Sequence, residues 1–445
     1  MLMLIIIILI SIRNLMERIT AKRHLLLTPL ALVIAAITHT ATAGIIDDSH
    51  IDLTSRTLYY NNDTRSVAKN QPTGEQLGQG FILEGKSGYT EGPVGFGLDA
   101  IGLLGVKLYG PTGNNISTGM FPQHDDNSAP GSFGALRLAA KARISETQLR
   151  AGYQTINLPV IKTNNGRLLP SLYRGYTLHS DDIDNLVLDA GFIDRVEGRN
   201  QTHYQKLKST GKASGFSSGF SYAGGRYTPI KPLALSYYFA QLSDFYDQNY
   251  LGLQHNLTLG AGKLTTDLRY FNSQGNGNRY GGSVDNNAYG AIVTYSLWGN
   301  SLGLGYQQLT GSSDFPYLDP GQTVDGISTD TTGGSTGLVT ESPLSKFKTA
   351  HERAFVIRYS VKLDAIASGL RFNSSYVSGH HARASGSQVN QNEWVRTVGL
   401  SYQLPSEWMK GVTLDWKNVT YRTNITGTRS QDQNMLSVTW KFGLL

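Results

Sequence analysis

The carboxyl-terminal stretch 436–444 reads Leu-Ser-Val-Thr-Trp-Lys-Phe-Gly-Leu, and every second residue in it is apolar. The stretches 412–417 (Val-Thr-Leu-Asp-Trp-Lys) and 397–403 (Thr-Val-Gly-Leu-Ser-Tyr-Gln) alternate in the same way. Strict alternation indicates a β-strand with two different faces, because successive side chains point to opposite sides. In an outer-membrane barrel the apolar face contacts lipid and the polar face lines a wet lumen. Closure of a barrel also removes the unpaired edge that a strand ending near Leu445 would present.

Similar alternating runs recur along the whole chain from residue 51 onward, among them 93–100 and 215–222, and residues 173–180 supply one more. Bacterial barrels have an even number of strands, so eighteen is the favoured count and sixteen the alternative. Short turns such as 298–300 contrast with a long polar segment at 311–350, which matches the two unlike rims of such barrels. The sequence therefore predicts an all-β transmembrane antiparallel β-barrel of about 18 strands.

The amino-terminal residues 1–43 resemble a secretory signal, with basic residues around Arg18, an apolar run at 25–37 and small residues at 41–43. A second apolar run, 1–12, precedes them and favours Met16 as the true start; a double-core leader or membrane anchor is the alternative. We therefore expect a mature chain of residues 44–445, located in the outer membrane of a Gram-negative bacterium.

Composition excludes several classes of protein. The chain has no cysteine, which excludes disulfides and thiolate metal sites, and no metal or cofactor motif is evident. Residues 1–43 carry four basic residues and one acidic residue, so their removal lowers the formal net charge from +6 to +3. A charge this close to neutral gives little support for nucleic-acid binding.

The alternation also predicts which charged residues point into the lumen. A basic side chain facing lipid at mid-depth would cost about 2–4 kcal/mol, so basic residues between lipid-facing positions should face inward. A row of such cations would draw anions into the tube and hold them weakly at successive points. The alternative is local pairing with Asp99, Asp189, Asp267, Asp364 and Asp415. The predicted basic ladder consists of Arg56, Arg137, Lys141, Arg143, Arg150, Arg358, Lys362, Arg371, Lys417 and Lys441.

One connecting segment, 157–172, is long but moderately apolar and contains two prolines. Such a segment must pack against something, and its position after an early strand predicts that it folds into the lumen and narrows it. The residues expected to form this constriction are Leu158, Pro159, Val160, Arg167 and Pro170.

Several motifs resemble those of the OprD family of outer-membrane porins, among them Gly-Ile-Ile-Asp-Asp-Ser-His at 44–50, Val-Gly-Phe-Gly-Leu-Asp-Ala-Ile-Gly-Leu-Leu-Gly-Val-Lys-Leu at 94–108, and Trp-Lys-Asn-Val-Thr-Tyr-Arg at 416–422. The resemblance implies an eighteen-stranded barrel with an inward third loop and a ladder of arginine and lysine opposite an electronegative patch. Lys417 stands where the family tends to have arginine, and Asp415 where a second basic residue is common.

By the same resemblance, the electronegative side would include Asp314, Tyr317 and Asp319. The implied cargo is small carboxylates, amino acids or short peptides, or chito-oligosaccharides in a chitoporin branch. We therefore predict a diffusion porin, not an enzyme, for small anionic or zwitterionic solutes. The alternatives from other classes are an outer-membrane barrel hydrolase and an adhesive barrel whose contact surface is the 311–350 loop. The expected partners are outer-membrane lipid, lipopolysaccharide and the barrel-assembly machinery, with the chain a monomer or weak trimer.

Overall fold

Eighteen antiparallel strands form one closed barrel in a computed structural model of the chain, as the sequence predicts. The structure describes residues 43–65, 74–110, 118–124, 128–209, 213–319, 322–324, 327–329, 334–384 and 387–445. The barrel strands are β1 (His50–Thr64), β2 (Gly74–Lys86), β3 (Gly95–Tyr109), β4 (Ser132–Ile144), β5 (Thr147–Gln154), β6 (Leu172–Ile183), β7 (Leu186–Glu197), β8 (Phe220–Ile230), β9 (Leu233–Leu242), β10 (Tyr246–Leu259), β11 (Gly262–Gly275), β12 (Asp285–Leu297), β13 (Asn300–Gly311), β14 (Arg353–Lys362), β15 (Leu370–Ala382), β16 (Gln391–Gln403), β17 (Val412–Thr423) and β18 (Gln431–Gly443).

Each strand pairs with the next along the chain, and β1 pairs with β18 to close the barrel. The closing register runs from Asp52 opposite Gly443 to Thr64 opposite Gln431. We call this β1–β18 pairing the seam. Because every strand has two neighbours, no ladder of backbone donors and acceptors is left open to lipid.

The two rims of the barrel differ in the length of their connections. At one rim the turns are two to eight residues long, and the described chain begins and ends there. At the other rim the connections reach 41 residues, in the β13–β14 loop (312–352). Short turns face the periplasm in such barrels and long loops face outward, which orients the molecule.

The outward face carries the apolar positions that the alternation predicts. Leu136, Phe355 and Leu304 are each more than half exposed, and each belongs to an outward-facing apolar set of its strand. The inward face is apolar in places as well. There, Leu58 and Tyr60 of β1 are almost completely buried, because connecting loops fold into the lumen and cover them. The interior is therefore partly a packed core, which simple alternation does not reveal.

Three connections supply most of this internal packing. The β5–β6 loop (155–171) and the described residues of the β3–β4 loop (110–131) pack on the inner wall of β1 to β4. The described residues of the β13–β14 loop pack on the wall of β12 to β17, and together with the β5–β6 loop they fill the region beside β7 to β13. A cavity next to the seam remains open, lined by β11 to β18, β1 and the two inward loops.

Two predicted strands have different bounds in the structure. The run 215–222 was expected to be a strand, but β8 begins at Phe220 and continues to Ile230. Gly224 and Gly225 interrupt the apparent pattern there, yet a Cβ at Gly224 would lie 2.2 Å from the carbonyl oxygen of Tyr237, so only glycine allows that close strand contact. The run 93–100 corresponds to β3, which begins at Gly95 and continues to Tyr109. Simple alternation does not show the second half of this strand, because Leu103 on the inner face is apolar and is covered by the loops.

The predicted signal segment lies outside the described residues up to residue 42. The described chain starts with a short helix, Ala43–Asp47, and the Ile45 carbonyl accepts a hydrogen bond of 2.9 Å from Gly88 N in the β2–β3 turn. In the described part of the chain, no helix is long and apolar enough to cross a membrane.

Candidate functional site: the narrowed lumen

A cavity of about 810 Å³ lies in the lumen between the seam side and the opposite wall. The β5–β6 loop borders it through Asn165, Gly166 and Arg167, and the β13–β14 loop borders it through Leu338 and Val339. The described cationic and carboxylate side chains that line it are Arg56, Arg167, Arg269, Arg358, Lys417, Asp267 and Asp415. Most of the other lining side chains carry hydroxyl or amide groups.

Arginine side chains hold the tip of the β5–β6 loop against the seam. Arg56 of β1 donates hydrogen bonds from Nη1 to the Arg167 carbonyl oxygen at 2.6 Å and to Asn165 Oδ1 at 3.0 Å. Arg167 in turn donates to the hydroxyl of Tyr60 and to the Thr118 carbonyl, both at 2.8 Å, and its guanidinium lies 4.2 Å from the centre of the Tyr60 ring. The loop tip therefore presents fixed positive charge to the cavity.

Apolar contacts hold the same loop from below. Leu168 has no exposed surface and Leu169 is 2% exposed, and both pack in the cluster that includes Leu58 and Phe121. A Cβ at Gly80 of β2 would lie 2.9 Å from the Leu168 carbonyl oxygen, so a glycine there lets the loop approach the wall. The inward fold expected for this segment is confirmed.

The predicted constriction residues take different places in the loop. Val160 and Pro170 are buried, Leu158 packs against the largest apolar cluster, and the Pro159 carbonyl contacts Gly337 of the β13–β14 loop. Gly337 has a φ of +72°, and a Cβ there would lie 2.9 Å from the Pro159 oxygen. The two inward loops thus meet each other, and Arg167 alone of the five predicted residues lines the cavity.

The wall opposite the seam is built on Arg269 and Arg358. Arg269 of β11 donates to the Gly337 carbonyl at 2.6 Å, and Arg358 of β14 donates to the Val339 carbonyl at 2.5 Å. Arg269 also forms a two-pronged ion pair with Asp267, with nitrogen–oxygen distances of 2.9 and 2.6 Å. These contacts tie the β13–β14 loop to the wall and leave the guanidinium groups at the cavity edge.

Arg269 was missing from the predicted ladder although the same rule would have found it. In β11 the side chains of Leu268 and Tyr270 face outward and flank it, so alternation places Arg269 inside. The alternation of β11 therefore carried the signal that places this cation in the lumen.

Lys417 of β17 is an exposed cation of the cavity wall near the seam. Its side chain is exposed to the cavity and makes no hydrogen bond or ion pair with the described residues. Asp415 lies two residues away on the same face of β17 and also lines the cavity. A cation that holds no structural contact is free to interact with a passing solute.

Other predicted ladder residues lie on the inner wall but are paired. Arg137 donates to the buried carboxylate of Glu197 at 2.7 Å, and Lys141 lies 2.7 Å from Asp99. Arg150 is 3.6 Å from the same aspartate. These three cations therefore pair locally with carboxylates, which was the alternative to a ladder of free cations. None of the three is among the described residues that line the cavity.

The β2–β3 turn covers Lys141 and a further residue of the predicted ladder, Arg143, from the periplasmic side. The ring of Tyr89 lies between Lys141 and Arg143, with distances of 4.7 and 4.4 Å to its centre. Lys141 also donates to the Ser87 carbonyl at 2.7 Å. The turn can fold inward because Gly97 has no side chain, as a Cβ there would lie 2.6 Å from the Gly88 carbonyl oxygen.

Three predicted cations lie on the lumen face below the cavity. By alternation, Lys362 shares a face with Arg358, Lys441 shares one with the cavity-lining Thr439, and Arg371 lies opposite Lys362 in the β14–β15 register. None of the three forms an ion pair with the described residues. They lie between the cavity and the periplasmic rim.

The residues predicted for an electronegative side hold the β13–β14 loop in place. Asp314 accepts a hydrogen bond of 2.9 Å from Ala350 N and lies 3.4 Å from Lys348 Nζ, while Tyr317 is buried. Asp319 pairs through its backbone with Lys208. Of the described acids, Asp267 and Asp415 are the ones that line the cavity.

A half-buried, ionised knot around Glu341 stabilises the inner end of the β13–β14 loop. Glu341 accepts hydrogen bonds from Ser335 Oγ at 2.8 Å and Thr336 N at 3.0 Å, and it pairs with Lys346. Burial raises the pKa of Glu341, but the Lys346 charge and these hydrogen bonds lower it more, so its pKa lies below the ordinary value. Glu341 is therefore charged at neutral pH.

Within the described ranges, neither a metal site nor an exposed nucleophilic serine at the Gly-x-Ser-x-Gly sequence is formed. No group of three or more histidine, aspartate or glutamate side chains is placed to hold a metal ion there. Ser217, which lies in a Gly-x-Ser-x-Gly sequence, is buried in a turn and donates to the Gly219 carbonyl at 2.9 Å.

A closed barrel with a narrowed, charged lumen defines a channel-forming outer-membrane protein. Residues 43–444 match the family model described as outer membrane porin, OprD family. The chain belongs to the OprD family, which confirms the resemblance found in the sequence.

Individual relatives agree with this assignment. Porin-like protein GalP of Pseudomonas putida is 31% identical over 404 residues, which cover 90% of this chain and 94% of GalP. A crystal structure of OccK8 (OprE) from Pseudomonas aeruginosa is similar with a TM-score of 0.81 and 38% identity, covering 91% of this chain and 100% of that one. A crystal structure of Pseudomonas aeruginosa OpdK with vanillate is similar with a TM-score of 0.81 and 29% identity, covering 90% and 100%.

Proposed function

We propose that this porin passes small anionic or zwitterionic solutes, namely small carboxylates, amino acids or short peptides, with a preference set by its basic cavity. The observation that carries the proposal is the charge of the cavity. Five cationic residues and two carboxylates line it among the described residues. Walls of low dielectric constant focus the field of this excess, so that anions concentrate in the passage.

The arrangement suits a carboxylate that must enter and leave. Guanidinium groups on opposite walls, Arg167 on one side and Arg358 on the other, can each donate two parallel hydrogen bonds to a carboxylate. Lys417 adds a third positive charge to the cavity lining. It can bind a solute without giving up a hydrogen bond or ion pair to a described residue. Several weak sites in sequence favour conduction over tight binding.

The size of the cavity limits the solute. A volume of about 810 Å³ is within the range of small-molecule sites, roughly 300–1,000 Å³. The vanillate in the OpdK crystal structure supports an aromatic carboxylate as a probe for this chain. Below the cavity, Lys362, Arg371 and Lys441 would extend the basic path toward the periplasm.

We expect vanillate to block the ionic current of the purified protein in a planar bilayer, and Arg358→Ala to weaken that block at least tenfold. The arginine faces the cavity, and a lost charge-assisted pair is worth about 1.5–3 kcal/mol. The measurement is the concentration of vanillate that halves the current, together with the reversal potential in a KCl gradient.

The matched control is Arg383→Ala, in an outer loop away from the cavity, where Arg383 donates to Asn390. It should leave the block unchanged. Cation selectivity in the wild type, with no block by carboxylates, would overturn the proposal.

A second candidate cargo is a chito-oligosaccharide, and the lining itself favours it. Ser360, Ser401, Thr397 and Asn373 line the cavity with hydroxyl and amide groups that match those of a sugar. Asp267 and Asp415 would then bind amino groups. Current block by sugars but not by vanillate would favour this candidate.

We also propose that export removes the leader and that the barrel-assembly machinery inserts the chain beside lipopolysaccharide as a monomer or weak trimer. The expected mature amino terminus is Gly44. Intact-mass measurement of protein purified from outer membranes tests this, and a protein that retains residues 16–43 would contradict it.

A further inference from the structure

A buried pair of carboxyl groups lies where the β13–β14 loop joins the barrel wall. Glu352, the last residue of the loop, has no exposed surface, and Glu393 of β16 is 3% exposed. Carboxyl groups are rarely buried without a cation in direct contact, since an unpaired charge in a protein interior is very costly. Neither glutamate forms an ion pair with the described residues.

The hydrogen bonds around the pair leave a place for one proton. Glu393 accepts from the Tyr421 hydroxyl at 2.5 Å and from Ser345 Oγ at 2.9 Å. Glu352 Oε2 accepts from Thr349 N at 3.1 Å, whereas Glu352 Oε1 is buried without a hydrogen-bond partner among the described residues. A buried oxygen without a donor is what a protonated carboxyl group presents, because its own O–H can donate to the neighbouring carboxylate.

We propose that Glu352 and Glu393 share one proton and together form a pH-sensitive latch that holds the β13–β14 loop in its inward position. Two carboxylates in contact cannot both be ionised, so loss of the shared proton would push the loop end away from β16. Ser345 and Thr349 bind the pair directly, so release of the pair also releases residues 345–349.

The environment of the pair favours the protonated form. The titratable and charged groups that act on it are Lys348 and Asp314 of the loop and Tyr421 of β17. Burial, and after it the neighbouring Glu393 carboxyl, raise the pKa of Glu352 well above its ordinary value. On the side of β15, Glu352 packs against Gly379, where a Cβ would lie 2.0 Å from Glu352 Oε1, and Gly379 is itself the register partner of Glu393.

The latch acts on the passage through the loop it holds. Phe347 has no exposed surface and packs with Val339 in the same apolar cluster, and Val339 lines the cavity. A pKa raised in the docked state means that docking is favoured at low pH and is weakened as pH rises through the raised value. The inward position of the loop, and hence the narrow passage, should be lost at alkaline pH.

Hydrogen exchange of the backbone amides in 334–350 tests the proposal without any assumption about the solute. In the wild-type barrel, exchange in this segment should rise at least tenfold from mildly acidic to alkaline pH, after the intrinsic pH effect is removed by reference to the unfolded chain. In Glu352→Gln the amide group can donate to an ionised Glu393, so the segment should stay protected at both pH values.

The matched control is Glu341→Gln, which weakens the ionised knot in the same loop. It should raise exchange at both pH values and keep the alkaline increase. The latch would be overturned if wild type and Glu352→Gln showed the same pH dependence, or if Glu352→Gln were as unprotected as Glu341→Gln at mildly acidic pH.

Single-channel recording provides the second readout. The wild type should show more frequent transitions to larger conductance levels at alkaline pH, and Glu352→Gln should not. The inference rests on channel activity, which the family shows, and not on the proposed preference for carboxylates, which the vanillate block tests separately.

Discussion

Leu168→Asp is expected to raise the single-channel conductance several-fold, because it should release the β5–β6 loop from the wall. Leu168 has no exposed surface and lies against Gly78 and Gly80. Loss of a buried leucine side chain costs about 2–5 kcal/mol, and an uncompensated buried carboxylate about 3–5 kcal/mol more. That sum, about 5–10 kcal/mol, is comparable with the four hydrogen bonds by which Arg56 and Arg167 hold the loop, at about 1.5–3 kcal/mol each, so the inward position of the loop loses its energetic advantage.

The measurement is conductance in a planar bilayer at fixed salt, on protein that still shows heat-modifiable mobility and is therefore a folded barrel. Leu168→Met is the matched control, since it conserves volume and should cost less than about 1.5 kcal/mol. An unchanged conductance in folded Leu168→Asp would mean that this loop does not set the width of the passage.

The double substitution Lys417→Glu/Arg358→Glu is expected to make the channel cation-selective. The five cations and two carboxylates that line the described cavity give an excess of three positive charges. Lys417→Glu alone reduces that excess to one, and the double substitution produces an excess of one negative charge. The reversal potential in a KCl gradient should therefore fall in the single variant and change sign in the double variant.

Lys417→Glu tests the charge of the cavity more directly than Arg358→Glu does, because Lys417 makes no hydrogen bond or ion pair with the described residues. Arg383→Glu introduces the same change of charge in an outer loop and should leave the reversal potential nearly unchanged, since charges beyond about 10 Å are screened at moderate salt. Equal effects of Arg383→Glu and Lys417→Glu would show that net charge, and not the cavity, determines selectivity.

The strands and their facing could be predicted from the sequence because lipid imposes one requirement on every outward position. Phe355, Ile357 and Tyr359 of β14 are exposed as expected, and Arg358 between them faces the lumen. The prediction of strand bounds from alternation fails where the inward-facing residues are apolar as well. Leu58 and Leu103 pack against loops from distant parts of the chain, and the pattern of apolar residues within β1 or β3 does not predict that contact.

The site was harder to predict than the fold, because inward facing does not decide whether a charge is free. Lys141 and Lys417 both face inward, yet Lys141 lies beside Asp99 and beneath Tyr89 while Lys417 faces open space. Those differences depend on where the β2–β3 turn and the inward loops fold, and their contacts are long-range. The Glu352–Glu393 pair could not be predicted for the same reason, since 40 residues, including all of β14 and β15, lie between its members along the chain.

The seam has a consequence for how the cell builds this protein. Arg56 of β1 lies opposite Thr439 of β18, and both line the cavity, so the first and last strands to be synthesised together form one wall of the passage. A chain that lacks its final strand has no such wall, and its two outer strands keep unpaired backbone donors and acceptors. Closure of the seam therefore completes the backbone pairing of the barrel and the wall of the cavity in the same step.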